Sequence, residues 1–294
     1  MEIIDGKKIS EDIKKEIAKS VVEIIDKKNE RAPHLVAILV GDDPASKTYV
    51  ANKERACKMV GFISSVYKYN ETITEKKLLQ VIDFINKDDE IDGLIVQLPL
   101  PKHISVDKII NSIDPKKDLD GFHPVNIGRM ALGLPAYISA TPKGILELFK
   151  RYKIDTQGKN CVIIGRSHIV GLPMSILMAR KDYPGNCTVT LCHSKTKNLK
   201  KICLNADILI AAIGKTEFIT ADMVKKDAVV IDVGMHRVKS SLTKSGFKLK
   251  GDVAFDEVSK KCSYITPVPG GVGPMTIASL LINTLKANRK EIYK

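Results

Sequence analysis

The sequence predicts an α/β protein with a twisted parallel sheet in its C-terminal half, and three observations carry that prediction. First, residues 161–173 read C-V-I-I-G-R-S-H-I-V-G-L-P: an apolar strand, a sharp glycine, a polar loop, a second glycine and then helix formers. Second, strand-like segments recur at 161–164, 188–192, 208–211 and 229–233, with helical segments near 172–180, 199–203 and 221–224 between them. That alternation at short spacing specifies parallel strands joined by right-handed crossovers. Third, residues 35–40 form a continuous apolar run ended by Gly41-Asp42-Asp43-Pro44, as expected of a parallel strand covered on both faces. A chain of 294 residues is long enough for a substantial core and two domains.

Composition narrows the classes. Hydrophobic residues make up 44% and charged residues 28%, a globular balance, and no apolar run approaches the ~20 residues a membrane span needs. The opening M-E-I-I-D-G-K has early acidic residues and no apolar signal core, so the expectation is a cytoplasmic protein. The net charge of +13 invites a nucleic-acid reading, but the lysines are dispersed and aromatics are only 5%, without clustering or stacking platforms. A lysine-rich solvated surface that helps attract an anionic substrate or cofactor is the better account. The six cysteines form no C-x-x-C pair and read as reduced, structural and non-metallic.

Taken in order, residues 9–28 read as a helix, with Ile13, Ile17 and Val21 at helical spacing. A second helix spans 45–59. At 100° per residue Tyr49, Val50, Ala56, Cys57 and Val60 share one arc, and Lys53 lies within it. Lys53 is then either a lysine snorkelling at the core edge or, if burial favours its neutral amine, an acid or base near neutrality. Strands are expected at 63–67 and 91–98 around a helix at 74–86. The second strand ends in Q-L-P-L-P, placing Gln97 at its carboxyl end, where open α/β sheets bind ligands and a glutamine is either a loop-fixing amide or a substrate contact. After a short helix at 106–110 comes D-P-K-K-D-L-D-G-F-H-P. Its Asp114, Asp118 and Asp120 read as turn and capping acids, or, for Asp120, as a rigid acceptor of paired N–H donors from a heterocycle. Residues 126–138 read as a linker, and Thr141-Pro142 as the N-cap and first turn of a helix running to about 152.

The 161–173 stretch has the form of a loop that seats a dinucleotide pyrophosphate on a helix N-terminus. Gly165, Ser167 and Gly171 give G-x-S-x-x-x-G rather than G-x-G-x-x-G, so an ordinary strand-turn-helix corner stays open on this stretch alone. The strand at 188–192 is followed by His193-Ser194-Lys195 and not by the acid that binds ribose hydroxyls in NAD sites. With Arg166 in the loop, positive and hydroxyl groups favour NADP, the alternative being that Arg166 holds only the pyrophosphate. Small residues at 211–214, including Ile213-Gly214, would let a cofactor pass close to backbone. A strand at 264–266 leads into P-V-P-G-G-V-G-P-M-T, whose Gly270, Gly271 and Gly273 suit either a packing turn or a backbone nest before a final helix at 277–287.

Five motifs in this order, S-x-x-Y-V-x-x-K at 46–53, Q-L-P-L-P at 97–101, D-P-x-K-D-x-D-G-F-H at 114–123, G-R-S-x-x-V-G-x-P at 165–173 and P-V-P-G-G-V-G-P-M-T at 267–276, resemble the bifunctional methylenetetrahydrofolate dehydrogenase/methenyltetrahydrofolate cyclohydrolase family over essentially the whole chain. The resemblance implies a two-lobed fold: a folate-binding catalytic domain over 1–141 and 273–294, a Rossmann-like NADP-binding domain over 142–272, and a C-terminal helix returning to the first lobe. It implies oxidation of 5,10-methylenetetrahydrofolate with NADP+, then hydrolysis of the methenyl product to 10-formyltetrahydrofolate, in one cleft. By the same resemblance Lys53 assists water attack and proton transfer, Gln97 orients it, Tyr49 stacks on the folate and Asp120 holds the pterin. Pro267 and Gly271 join the substrate set. Gly165, Arg166, Ser167, Gly171, His193, Ser194, Lys195, Ile213, Gly270, Gly271, Val272, Gly273 and Thr276 make the cofactor set. No metal, nucleic acid or membrane is implied, and a homodimer is. One departure is Ser139-Ala140, where the family often has Pro-Cys. A dehydrogenase lacking the second activity, another lysine-dependent dehydrogenase, and a dinucleotide-sensing or nucleic-acid-binding protein are the competing readings.

Overall fold

The computed structural model describes residues 1–27, 29–241, 243 and 246–293. The N-terminal elements are β1 (Glu2–Ile3), α1 (Gly6–Val22, extended by a π turn at Glu23–Lys27), β2 (His34–Val40), α2 (Pro44–Met59), β3 (Ile63–Tyr69), α3 (Glu75–Lys87) and β4 (Gly93–Val96). Then come α4 (Val106–Ser112), α5 (Pro124–Ala131), α6 (Ala140–Arg151), β5 (Asn160–Ile164), α7 (Gly171–Ala179), β6 (Thr188–Cys192), α8 (Leu199–Cys203) and β7 (Ile208–Ala211). After a 3-10 turn at Ala221–Met223 follow β8 (Val229–Asp232), β9 (His236–Lys239), β10 (Phe247–Lys250), α9 (Phe255–Val258), β11 (Tyr264–Ile265) and α10 (Val272–Asn288).

Two compact units result, Glu11–Ala140 with Ile277–Lys294, and Met1–Ser10 with Thr141–Thr276. In the first, β2 is the middle of a parallel three-stranded sheet of order β3-β2-β4. Its residues from Leu35 to Val40 are all buried, as a strand covered on both faces requires. Val36 and Ile38 pack with Leu78, Ile82 and Ile85 of α3 and Ile109 of α4; full burial of such side chains stabilises by roughly 1.5–3 kcal/mol each. The final helix closes this unit: the buried Asn283 donates through Nδ2 to the carbonyls of Leu119 (2.8 Å) and Ile138 (3.1 Å).

The second unit carries a six-stranded, all-parallel sheet of order β1-β11-β8-β7-β5-β6. From β5 the chain steps to β6 on one side and returns to β7 on the other, so the sheet's topological switch point lies between β5 and β7. Residues 1–10, which the sequence reading groups with the N-terminal lobe, fall in this unit, where β1 pairs with β11 (Glu2 with Tyr264, Ile3 with Ile265).

Three local expectations need correction. The expected linker at 126–138 contains α5: His123 caps it through Nδ1, accepting from Val125 N–H at 3.1 Å, Pro124 fixes its first turn, and Asn126 and Met130 are buried. Thr141 is not an N-cap, since α6 already begins at Ala140. Tyr49, which the helical spacing puts in the apolar arc of α2, is 42% exposed, because the stripe that packs is Ser46, Val50, Cys57 and Val60 and Tyr49 falls at its margin.

Candidate active site and cofactor loop

In the first unit three elements converge on Lys53. Helix α2 starts at Asp43, whose carboxylate accepts from Ser46 N–H at 2.7 Å, with Pro44 in the first turn. Lys53 lies on the helix's packing stripe and is half-buried, and its Nζ donates to Gln97 Oε1 at 3.2 Å. Gln97 follows β4: its N–H bonds the carbonyl of Ile38 (2.9 Å) and its Nε2 donates to the carbonyl of Leu98 (2.8 Å), which turns Oε1 toward the lysine. Tyr49 sits one helical turn before Lys53, on the same side of α2.

Asp120 comes from the loop beside β4, where Leu94 N–H bonds the carbonyl of Lys117 at 2.8 Å. Asp118 shapes that loop. Its buried carboxylate accepts from the N–H of Phe122 (3.3 Å), the N–H of His123 (2.8 Å) and Asn126 Nδ2 (2.9 Å). Gly121 has φ +67°, and a Cβ there would meet the carbonyl oxygen of Tyr137 at 2.6 Å, so only glycine lets the loop turn after Asp120. Desolvation pushes the Asp120 carboxyl up to about 6; Lys53 pulls the other way and the neighbouring Asp118 adds to the rise. A pocket lined by Val96, Leu98, Ile109, Ile113 and Phe122 opens beside it. The structure thus gathers Lys53, Gln97 and Asp120 with Tyr49 close by. Asp118, which reads from sequence as a turn acid, instead holds the loop, a role that only the D-x-D-G spacing signals.

In the second unit the residues that the sequence assigns to a cofactor lie along the carboxyl edge of the sheet. Gly165 ends β5 with φ +115°, and a Cβ on it would meet the carbonyl oxygen of Ala212 at 2.1 Å. A Cβ on Gly171 would meet the carbonyl oxygen of Gly165 at 1.9 Å, so both glycines are set by close backbone packing between strand, loop and α7. Ser167 Oγ accepts from the N–H of Val170 at 3.2 Å and of Gly171 at 3.5 Å, holding the turn that leads into α7, and Arg166 is exposed beside it. After β6, His193 Nδ1 accepts from Lys195 N–H at 3.2 Å, leaving the Ser194 and Lys195 side chains exposed. Ile213 and Gly214 follow β7. The loop after β11 is pinned inside its own unit: Gly270 has φ +109° and accepts from Lys7 N–H (2.8 Å), Gly271 N–H bonds the carbonyl of Pro267 (2.9 Å), and Thr276 Oγ1 bonds the carbonyl of Gly273 (2.8 Å). Gly271 and Val272 are buried there. Pro267 and Gly271 therefore fall in this unit, and Tyr49, Lys53, Gln97 and Asp120 in the other.

The donor set fits a phosphorylated dinucleotide: a close-packed glycine loop at the switch point, a guanidinium beside it, and hydroxyl and ammonium groups where an NAD site carries an acid. Among the described residues, no three His, Cys, Asp or Glu side chains gather into a metal-binding group, and no helix is long and apolar enough to cross a membrane.

A parallel sheet with such a loop, in one chain with an α/β unit that gathers a lysine, an amide and a carboxyl, defines a dinucleotide-dependent α/β enzyme. Residues 4–120 match the catalytic domain of tetrahydrofolate dehydrogenase/cyclohydrolase and residues 139–292 match its NAD(P)-binding domain. The chain belongs to the tetrahydrofolate dehydrogenase/cyclohydrolase family. It is 61% identical over 294 residues to the bifunctional protein FolD of Bacteroides fragilis, covering 100% of both chains. Among solved structures it is similar to the bifunctional FolD of Campylobacter jejuni, with a TM-score of 0.92 and 48% identity over 99% of each chain. The Trypanosoma brucei FolD, complexed with NADP cofactor and inhibitor, gives a TM-score of 0.92 and 34% identity over 100% of this chain and 99% of that one.

Proposed function

We infer that this chain oxidises 5,10-methylenetetrahydrofolate to 5,10-methenyltetrahydrofolate with NADP+ and hydrolyses that product to 10-formyltetrahydrofolate. The observation that carries this reading is the Lys53–Gln97 contact with Asp120 beside it, in a chain that matches both domains of the family. NADP+, when bound, supplies the hydride acceptor. Hydride transfer asks chiefly for close, aligned carbons, and no charged side chain need take part in it.

Hydrolysis is where side chains act. The methenyl carbon is a cation stabilised by two nitrogens; water adds to it, one proton leaves, and the bond to N5 breaks as N5 is protonated. Lys53 manages those protons, held at its station by Gln97. Asp120, as carboxylate, accepts the paired N–H donors of the pterin, and Tyr49 offers its exposed ring as a stacking face. Arg166, Ser194 and Lys195 supply charge and hydroxyl donors for the cofactor phosphates, with Ser167 and the glycines of its loop shaping the turn. Residues 11–140 and 277–294 form the folate-binding domain in this reading, residues 141–276 the cofactor domain, and two copies pair through the cofactor domain, as the family resemblance suggests.

Reduction of NADP+ and NAD+, followed in separate reactions with methylenetetrahydrofolate, tests the oxidative half. Methenyl product should form with NADP+ at a far higher kcat/KM than with NAD+. Comparable use of NAD+ would remove the role given to Arg166, Ser194 and Lys195.

A further inference from the structure

The carboxylate of Asp252 is fully buried and takes no part in the chemistry above. It accepts from three successive backbone N–H groups after β7: Ile213 (2.6 Å) and Gly214 (3.1 Å) on Oδ2, and Lys215 (2.9 Å) on Oδ1. His236 Nε2 donates to the same Oδ1 at 2.7 Å. Asp232, at the end of β8, braces the arrangement: it accepts from the N–H of Asp252 (2.9 Å), Val253 (3.0 Å) and Gly234 (2.9 Å). The backbone is packed tightly around the pair. A Cβ on Gly251 would meet Asp232 Oδ2 at 1.8 Å, and one on Gly234 would meet Asp252 Oδ1 at 2.4 Å.

The place of the held segment gives it meaning. It leaves β7 on the far side of the switch point from β6, and Ala212, the residue just before it, lies against Gly165 of the phosphate loop. If Ser194 and Lys195 take the adenosine phosphate beyond β6, and the β5 loop takes the pyrophosphate, the nicotinamide half falls on the β7 side. With its N–H groups drawn inward to one carboxylate, the 213–215 segment has a fixed backbone face to present there, without a loop that must be ordered when cofactor binds.

We propose that Asp252, braced by His236 and Asp232, is a positioning residue for NADP+: it sets the Ile213–Lys215 backbone that borders the nicotinamide half of the cofactor. The proposal rests on the NADP-dependent reading above and names a residue that does not touch the reacting atoms.

The two activities give the test its control, since hydrolysis of methenyltetrahydrofolate is measured without cofactor. In D252N the amide nitrogen faces a backbone N–H it cannot accept from. The full-length variant should raise both the NADP+ Kd by calorimetry and the KM for NADP+ by about tenfold or more, as loss of charge-assisted bonds implies. Its cofactor-free hydrolysis and its KM for methylenetetrahydrofolate should stay near wild type. H236A, which removes only the bracing donor, should show a smaller rise in KM for NADP+, reversed in H236Q, which restores an N–H. Unchanged NADP+ Kd and KM in a folded D252N overturns the proposal. If D252N does not fold, the histidine pair decides: a rise in H236A reversed in H236Q supports it, and wild-type values in both overturn it. Failure of the underlying reading has a different signature, a wild-type chain that neither binds nor reduces NADP+, and that result takes the proposal down with it.

Discussion

Lys53 Nζ donates to Gln97 Oε1 at 3.2 Å, joining the packing stripe of α2 to the carboxyl end of β4. The two residues are 44 positions apart, so the contact is a product of the way α2 packs on the parallel β3-β2-β4 sheet and not of local sequence. An amine so held can pass a proton to or from a water placed beside it. K53M should lower cofactor-free hydrolysis of methenyltetrahydrofolate by about 10²–10⁴-fold, the usual worth of a positioned acid–base group. Loss of the methenyl absorbance above the spontaneous rate measures this, and full activity in K53M would remove the assigned role.

Asp120 should set the acid limb of the pH dependence. Burial raises its carboxyl to about 6, so in the free chain it is neutral below that pH and cannot accept two N–H donors. The kcat/KM for methylenetetrahydrofolate should therefore rise with pH through about 6 and level off above it, and D120N should lose both that limb and most of the folate affinity. Asp232, also raised to about 6 by burial, remains in D120N, so a limb that persists in this variant belongs elsewhere.

On the proposed reading, cofactor choice rests on exposed groups that can be changed without disturbing the core. R166A and the pair S194A/K195A should each raise the KM for NADP+ by about 10–100-fold, the worth of a charge-assisted hydrogen bond or two. Their effect on the KM for NAD+ should be much smaller. Equal losses with both cofactors would place these residues outside the 2′-phosphate site.

Asn283 ties the final helix to the loop that carries Asp120, through the carbonyl of Leu119. N283A strands two carbonyls, that of Leu119 buried and that of Ile138 partly buried, and should cost about 1–3 kcal/mol in urea unfolding. It should also raise the KM for the folate substrate, because Leu119 adjoins Asp120. Wild-type stability would show that water replaces the amide at no cost.

Much of the fold could be read from the chain because its signals are local. The apolar run at β2, the strand–loop–helix repeats from β5 to β8 and the helical spacing that turned Lys53 inward all sit within short windows. Helix α5 escaped because Gly128, Gly133 and Pro135 look like linker residues, while the His123-Pro124 start that specifies it is only a few residues long. The β9–β10 hairpin escaped because H-R-V-K and F-K-L-K are short and mostly charged, with pairing set by the partner strand. Asp252 shows the limit most clearly. Nothing next to it in the chain announces that its carboxylate will collect the N–H of Ile213, 39 residues away; only the parallel sheet brings them together.

The pairing of two activities in one chain is tested most directly by giving the purified protein methenyltetrahydrofolate with no dinucleotide present and comparing its hydrolysis with the buffer rate. Hydrolysis well above that rate, in a preparation that also forms the methenyl compound from methylenetetrahydrofolate and NADP+, is the predicted result. A preparation that forms it with NADP+ but never speeds its hydrolysis would contradict the assignment of Lys53 and Gln97 to the second reaction.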